Sequence, residues 1–264
     1  MTSESLDVDV LIAVREPAPW LGETLFSLVN QTFKDFRLVL AVHGADEVSS
    51  GLAKQYFPDA LILHCSQGLT LPEVRAYGLS RCSAPFVALS DADDVSFPNR
   101  LRHQHEYLSK HTSVAMVAAP MAMIDVESRL LPGKRGAHGS SLLMLRLLSR
   151  NVIGQSSVML RREVAEQSGS YRRHSVGVED YDLWLRIGAR AQIRVMREMQ
   201  VAYRIHPAQT SSVTQISPTG IQNLLESRIA LARSIRLPKW LAEKMHRFWV
   251  RRQRISTDKM VVDL

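Results

Sequence analysis
The chain has 264 residues, 45% of them hydrophobic, which is enough for one large α/β domain or a domain with an appendage. No segment approaches the apolar run of ~20 residues that a membrane-crossing helix needs. Of the net charge of +7, the stretch Thr219 to Leu264 carries +6, from seven Arg and three Lys against two Glu and two Asp; a near-neutral body with a basic tail points to a partner for the tail, and away from nucleic acid.

The start, Met1 to Asp9, is polar and acidic, without the basic start and apolar core of a signal peptide. Cys65 and Cys82 lack metal-site spacing. Both features predict a reduced, cytoplasmic setting.

The first half alternates. Strands are predicted at Val8 to Val14, Phe36 to Val42, Ala60 to His64, Phe86 to Ser90 and Val114 to Ala119. Between them come helices at Trp20 to Asn30, Leu52 to Tyr56, Pro72 to Arg81 and Pro98 to Lys110. Strands alternating with helices imply βαβ units and a mostly parallel sheet, with ligands beyond the carboxyl ends of the strands. The second half is less regular. Helices are expected at Ser140 to Arg150, Arg161 to Gln167 and Glu179 to Ala189, a short strand at Ser156 to Leu160, a polar loop at Ser170 to Val178, and an extended stretch at Ile193 to Ile205. An amphipathic helix follows at Ile221 to Ile235. A last one opens at Pro238, with Trp240, Leu241, Met245, Phe248 and Trp249 on one face and Lys244, Arg247, Arg251 and Arg252 elsewhere.

The most informative run is Asp91-Ala92-Asp93-Asp94, at the end of the fourth strand. Three crowded carboxylates repel one another unless a cation joins them. Mg²⁺ or Mn²⁺ takes one or two carboxylates plus substrate phosphates, so this corner is expected to hold a metal that holds a phosphate. The plainer reading is an acidic loop capping the next helix. Glu179-Asp180 opens a helix after a loop containing Gly177. It reads either as an N-terminal cap or as a general base for an acceptor hydroxyl. Arg204 and His206 share one face of a strand by period two, and suit a phosphate or a metal. Arg75 neutralises a phosphate or closes a salt bridge.

Together these pieces resemble family 2 of the inverting glycosyltransferases, over roughly residues 8 to 212. The resemblance rests on Leu89-Ser90-Asp91-Ala92-Asp93-Asp94 followed by Pro98 and Leu101, and on Val178-Glu179-Asp180-Tyr181-Asp182-Leu183-Trp184-Leu185-Arg186. Ser27-Leu28-Val29-Asn30-Gln31-Thr32 and Arg75-Ala76-Tyr77-Gly78 add to it. It implies a GT-A fold, a Rossmann-like, mostly parallel α/β sheet flanked by helices over residues 1–218, with a basic helical appendage over 219–264. It also implies a nucleotide-diphospho-sugar donor, a divalent metal (Mg²⁺ or Mn²⁺), and a glycan or lipid-linked acceptor in polysaccharide synthesis. Asp180 then matches the catalytic base. Asp91 and Asp93 match the Asp-x-Asp motif, with His206 as a further metal ligand. Val14, Arg15, Glu16, Gly44, Arg75, Ala92 and Arg204 fall around the donor, and Glu179 and Trp184 at the acceptor site. The chain departs from the family pattern at Ala13-Val14-Arg15-Glu16 and at Val42-His43-Gly44-Ala45, where the usual base-binding Asp is missing.

Two other classes fit parts of the chain. A non-catalytic binding relative on the same scaffold would explain the missing Asp. Asp91-Ala92-Asp93-Asp94-Val95 also fits a haloacid-dehalogenase-like phosphatase, but that motif usually opens its fold, and the segment before Glu179 is polar rather than an apolar strand. No Gly-x-Gly-x-x-Gly follows the first strand, which argues against a dinucleotide-dependent oxidoreductase. For the tail, packing on the catalytic domain is favoured over peripheral membrane contact through residues 238–254.

Overall fold
The computed structural model describes residues 6–15, 18–44, 46–136, 139–140, 142–209 and 214–262, with side chains to Gln253. Strands β1 (Val8–Val14), β2 (Phe36–His43), β3 (Leu61–Cys65) and β4 (Phe86–Ser90) are joined by helices α1 (Leu21–Val29), α2 (Glu47–Tyr56) and α3 (Leu71–Arg81). Then come β5 (Val95–Ser96), α4 (Arg100–Lys110), β6 (Val114–Ala118), β7 (Met121–Ile124), β8 (Leu130–Arg135), α5 (Leu143–Ser149), β9 (Met159–Arg161) and α6 (Arg162–Gln167). The chain continues through α7 (Glu179–Gly188), β10 (Gln192–Val195), β11 (Val201–Arg204), α8 (Pro218–Ser234) and α9 (Lys239–Val262).

The main sheet has the order β10-β6-β9-β4-β1-β2-β3. β1 pairs in parallel with both β2 and β4. Only β9 runs against its neighbours, inserted between β4 and β6. Because the sheet is covered on both faces, its strands alternate between two cores. Val8, Val10, Ile12 and Val14 of β1 meet Leu21, Leu25 and Leu28 of α1 and Leu101 of α4. Leu11 points the other way, toward Val74 and Leu79 of α3 and the apolar face of α7.

A second sheet, β5-β11-β7-β8, stands beside this core. The expected extended stretch Ile193 to Ile205 is therefore two strands in two sheets. The first pairs with β6, and the second with β7 and β5. The β7–β8 hairpin was not expected, because Pro132-Gly133 reads as a loop. β8 is an exposed edge strand, where such residues are tolerated. α2 begins five residues earlier than expected, because the Asp46 carboxylate accepts the Ser49 N–H at 2.8 Å and caps the helix.

Two glycines set the approach of elements to the site. A Cβ on Gly78 would come within 2.6 Å of Leu11 Cδ1 and 3.2 Å of Ala41 Cβ, so only glycine lets α3 lie this close to the sheet. Arg75, one turn earlier, is thereby carried over the strand ends. Gly177 has φ +80° and turns the chain sharply into α7. Among the described residues no helix is long and apolar enough to cross a membrane. Cys65 and Cys82 are buried free thiols.

Candidate active site
β4 delivers Asp91 to the carboxyl edge of the sheet, beside the ends of β1 and β2. Asp91 is held from two sides. Arg75 Nη2 donates to its Oδ1 at 2.8 Å, and Ser156 Oγ donates to its Oδ2 at 2.9 Å. The other end of the Arg75 fork, Nη1, donates to Glu179 Oε1 at 2.6 Å. Turned with its oxygen inward, the Gln155 amide also accepts from Arg75 Nε at 2.7 Å. Burial alone would lower the pKa of Arg75, but Asp91 and Glu179 outweigh it and push it upward. One buried guanidinium thus joins the end of β4 to the start of α7.

Asp180 is the second residue of α7. Its Oδ2 accepts from Asn151 Nδ2 at 3.0 Å, and it is only half-buried. Burial, and then the neighbouring Glu179, push its pKa up to about 6, against the opposing pull of Arg75. Its Oδ1 accepts the Tyr181 N–H at 2.6 Å, and a partly exposed carboxylate with that pKa can take a proton near neutral pH. Glu179 faces Arg75 rather than an open acceptor site. Asp182, readable as a surface cap, is fully buried between Arg186 Nη2 at 2.8 Å and Ser227 Oγ at 2.6 Å.

Asp93 closes the opposite wall. Its Oδ2 lies 2.9 Å from His206 Nε2, and the side chain keeps 28% of its exposure. Burial and the nearby Asp91 raise its pKa. Asp94 is wholly buried and accepts the Arg204 N–H at 2.9 Å. Burial beside Asp93 and Asp91 pushes its pKa well up. His206 packs on Trp20 at 4.4 Å between ring centroids, and its Nδ1 is buried with no hydrogen-bond partner among the described residues.

Not every expected residue faces the site. Arg204 does converge on Asp93, but as a clamp. Its Nε donates to the Asp93 carbonyl at 3.0 Å, Nη1 to the Asp125 carbonyl at 3.1 Å and Ser128 Oγ at 2.9 Å, and Nη2 to Glu23 Oε2 at 2.8 Å. Fully buried, it has no edge to offer a diphosphate. Trp184 was expected at the acceptor site; it is fully buried in the core with Leu183, Leu185 and Ile187. Its helix is enclosed nearly all round, with the charged Glu179, Asp182 and Arg186 buried alongside the apolar residues. Val14 and Gly44 lie at the strand ends, Gly44 with φ +85°, and Arg15 is exposed beyond β1. Ala92 is partly buried between the two aspartates. Glu16 lies outside the described residues.

Residues 9–169 match the family model described as glycosyl transferase family 2. The chain belongs to that family. It is 26% identical over 210 residues to the O-antigen biosynthesis glycosyltransferase WbnJ of Escherichia coli, covering 77% of this chain and 81% of WbnJ. It is 30% identical over 193 residues to the amylovoran biosynthesis glycosyltransferase AmsE of Erwinia amylovora, covering 67% and 68%. Residues 1–349 of S. aureus TarS, solved in complex with UDP-GlcNAc, superpose with a TM-score of 0.67 at 14% identity, over 92% of this chain and 71% of that one. The fold is the GT-A fold expected, and the chain is a glycosyltransferase.

Within this family 2 enzyme, four site residues escaped the sequence reading: Asn151 beside Asp180, Gln155 beside Arg75, Ser156 beside Asp91, and Tyr171 beside Gln155. Three of them fall between Asn151 and Ser157, where Asn151 and the run Gln155-Ser156-Ser157 are uncharged hydrogen-bonding residues just before an apolar strand. That composition was the only signal. Among the described residues no group of three His, Cys, Asp or Glu side chains converges to hold a metal.

Proposed function
We propose that the enzyme moves a sugar from a nucleotide-diphospho-sugar to an acceptor hydroxyl in one inverting displacement, with Asp180 as the base. Asp180 takes the hydroxyl proton, and the oxygen bonds to the anomeric carbon. The bond from that carbon to the diphosphate breaks, and the nucleoside diphosphate leaves. The observation that carries the reading is the Arg75 bridge from Asp91 to Glu179, which sets the donor corner and the base a fixed distance apart. Positioning of that kind is worth several kcal/mol in a bimolecular transfer. Arg75 acts here as a positioning group, and Arg204 holds the loop that carries Asp93.

The donor set suits a divalent cation. Mg²⁺ or Mn²⁺ needs only one or two carboxylates beside the diphosphate oxygens and water. Asp93 and Asp91 are both partly exposed carboxylates, at 28% and 27%. Among the described residues nothing bonds to the buried Nδ1 of His206, so polar bonding there is open to a ligand. Such an ion would neutralise the leaving diphosphate. Val14, Arg15, Gly44 and Ala92 form the floor on which the nucleotide would lie.

The kinship with WbnJ and AmsE supports an acceptor that is a growing or lipid-linked glycan in cell-surface polysaccharide synthesis. The TarS complex supports a nucleotide-sugar donor. A thermal-shift screen of nucleoside diphosphates and nucleotide sugars, with Mg²⁺ and with Mn²⁺, tests this reading. A donor raises Tm by mass action. No shift with any of them, with or without metal, would overturn it.

A further inference from the structure
The tail helix α9 divides its aromatic residues between two faces. Ala242, His246 and Trp249 turn inward and are buried, Trp249 at 8% exposure. Trp240 and Phe248 turn outward, at 60% and 59% exposure. At 3.6 residues per turn, Trp240, Lys244, Arg247, Phe248 and Arg251 fall within an arc of about 100°, so they form one outward stripe. Arg252 flanks it, with its guanidinium 5.2 Å from the Phe248 ring centroid. No carboxylate pairs with Lys244, Arg247, Arg251 or Arg252 among the described residues.

A second exposed apolar site lies at the α8–α9 elbow. Ile235 and Leu237 line a shallow cup with Leu142, Leu143 and Leu145 at the start of α5. Leu142 is 64% exposed, and Arg146, Arg233 and Arg236 stand exposed around it. Large exposed aromatics among unpaired cations suit neither bulk water nor a neutral apolar partner. They suit an interface that is apolar inside and anionic at its surface.

We propose that this face seats the enzyme on an anionic lipid bilayer, with Trp240, Phe248 and the Leu142–Leu145 edge in the headgroup region and the arginines on lipid phosphates. The placement is consistent with the site. α5 runs from the cup to Ser149, about 10 Å at 1.5 Å per residue. Just beyond its far end, Asn151 touches Asp180. The lipid surface and the base therefore lie at the two ends of one short helix.

Co-sedimentation of the full chain with vesicles tests the proposal without depending on transfer. It should pellet with phosphatidylcholine–phosphatidylserine vesicles, weakly with pure phosphatidylcholine, and less as salt is raised. The pair Trp240→Glu and Phe248→Glu should abolish pelleting while the cooperative melt is kept. In case that pair misfolds, Arg247→Gln, Arg251→Gln and Arg252→Gln change exposed charge on the helix surface, the last also losing the contact with the Phe248 ring. Each should weaken binding about fivefold, from about 1 kcal/mol per cation. Failure to pellet with anionic vesicles, or undiminished pelleting of the charge variants, would overturn the proposal. So would a dimer, seen by sedimentation velocity, that the Trp240 and Phe248 changes dissolve, since a second copy would then cover the face.

Discussion

The Arg75 bridge gives the sharpest test. In Arg75→Met the side-chain volume is nearly kept, but Asp91 and Glu179 lose their shared cation. The Glu179 side chain is 5% exposed and that of Asp91 27%, so water replaces the guanidinium poorly. Leaving a buried charge unpaired costs about 3–5 kcal/mol. If the cost comes from unpaired charge rather than lost packing, Glu179→Gln in the same chain should recover part of it. The coupling measured by the double-mutant cycle should then be about 1–3 kcal/mol. Urea unfolding of the four proteins reads this from the midpoints at constant slope.

The same substitution acts on the base. Arg75 holds the Asp180 pKa down, while burial and Glu179 hold it up to about 6. Removing Arg75 takes away the largest downward pull and leaves only the hydrogen bonds from the Tyr181 N–H and Asn151 against burial and Glu179, so the pKa rises. An upward move of one unit would cut the ionised fraction of Asp180 at pH 7 from roughly nine-tenths to about one-half. The acid limb of the rate profile should therefore move to higher pH in Arg75→Met, and back when Glu179→Gln is added. A destabilisation under ~1 kcal/mol, or a double variant no more stable than Arg75→Met, would refute the bridge as an electrostatic tie.

Asp180→Asn should lower kcat by about 10²–10⁴-fold with donor binding little changed, and the wild-type rate should fall about tenfold per pH unit below about 6, as the base protonates; substantial turnover in the variant would refute the assignment. Asp93→Ala should leave Tm nearly unchanged without ligand but remove the metal-dependent part of the donor's thermal shift. His246, depressed to about 4 by burial and then by Arg228, is neutral in the native state. Protons therefore favour the unfolded chain, and the stability this neutral group contributes is lost as pH falls from about 6.5 toward 4, by up to about 3 kcal/mol. Arg228→Met should raise the His246 pKa, read by NMR titration of its ring protons.

The first half of the fold was legible because its strands are mostly buried and read as apolar runs, interrupted only by single polar residues such as Asp9 and Arg37, between helices. The placement of Asp91 at a strand end followed directly. Strand order did not, since nothing in Met159–Arg161 announces that β9 inserts antiparallel between β4 and β6. The partner of Arg75 was equally hidden, because Glu179 lies 104 residues away. A local pattern cannot say whether a guanidinium meets a phosphate or a carboxylate. Arg204 shows the same limit. Its position by Asp93 was readable, but its burial depends on β7 and the loop from Asp125 to Ser128, which the sequence disguised. Trp184 could have been read differently. Leu183, Trp184 and Leu185 are consecutive, so a helix with one buried stripe could not hide all three, and an enclosed helix was the consistent reading.

The basic tail was set apart by charge, but charge and packing divide the chain differently. α8 lies on α7, and Ser227 donates to the buried Asp182. Arg228, buried with no carboxylate paired to it among the described residues, reaches the Tyr181 hydroxyl at 3.0 Å, His246 Nδ1 at 2.8 Å and the rings of Tyr181 and Trp249. A guanidinium desolvated this way is stabilised only by π faces and neutral acceptors, so its position is strict. Tyr181 and Asp182 directly follow Asp180. The inner face of the tail therefore braces the turn that carries the base, and only its outer face is open to a partner. A cut at residue 218 would separate the charges while removing the support of the catalytic helix. The appendage belongs to the active site's scaffold from one side and to the proposed lipid surface from the other.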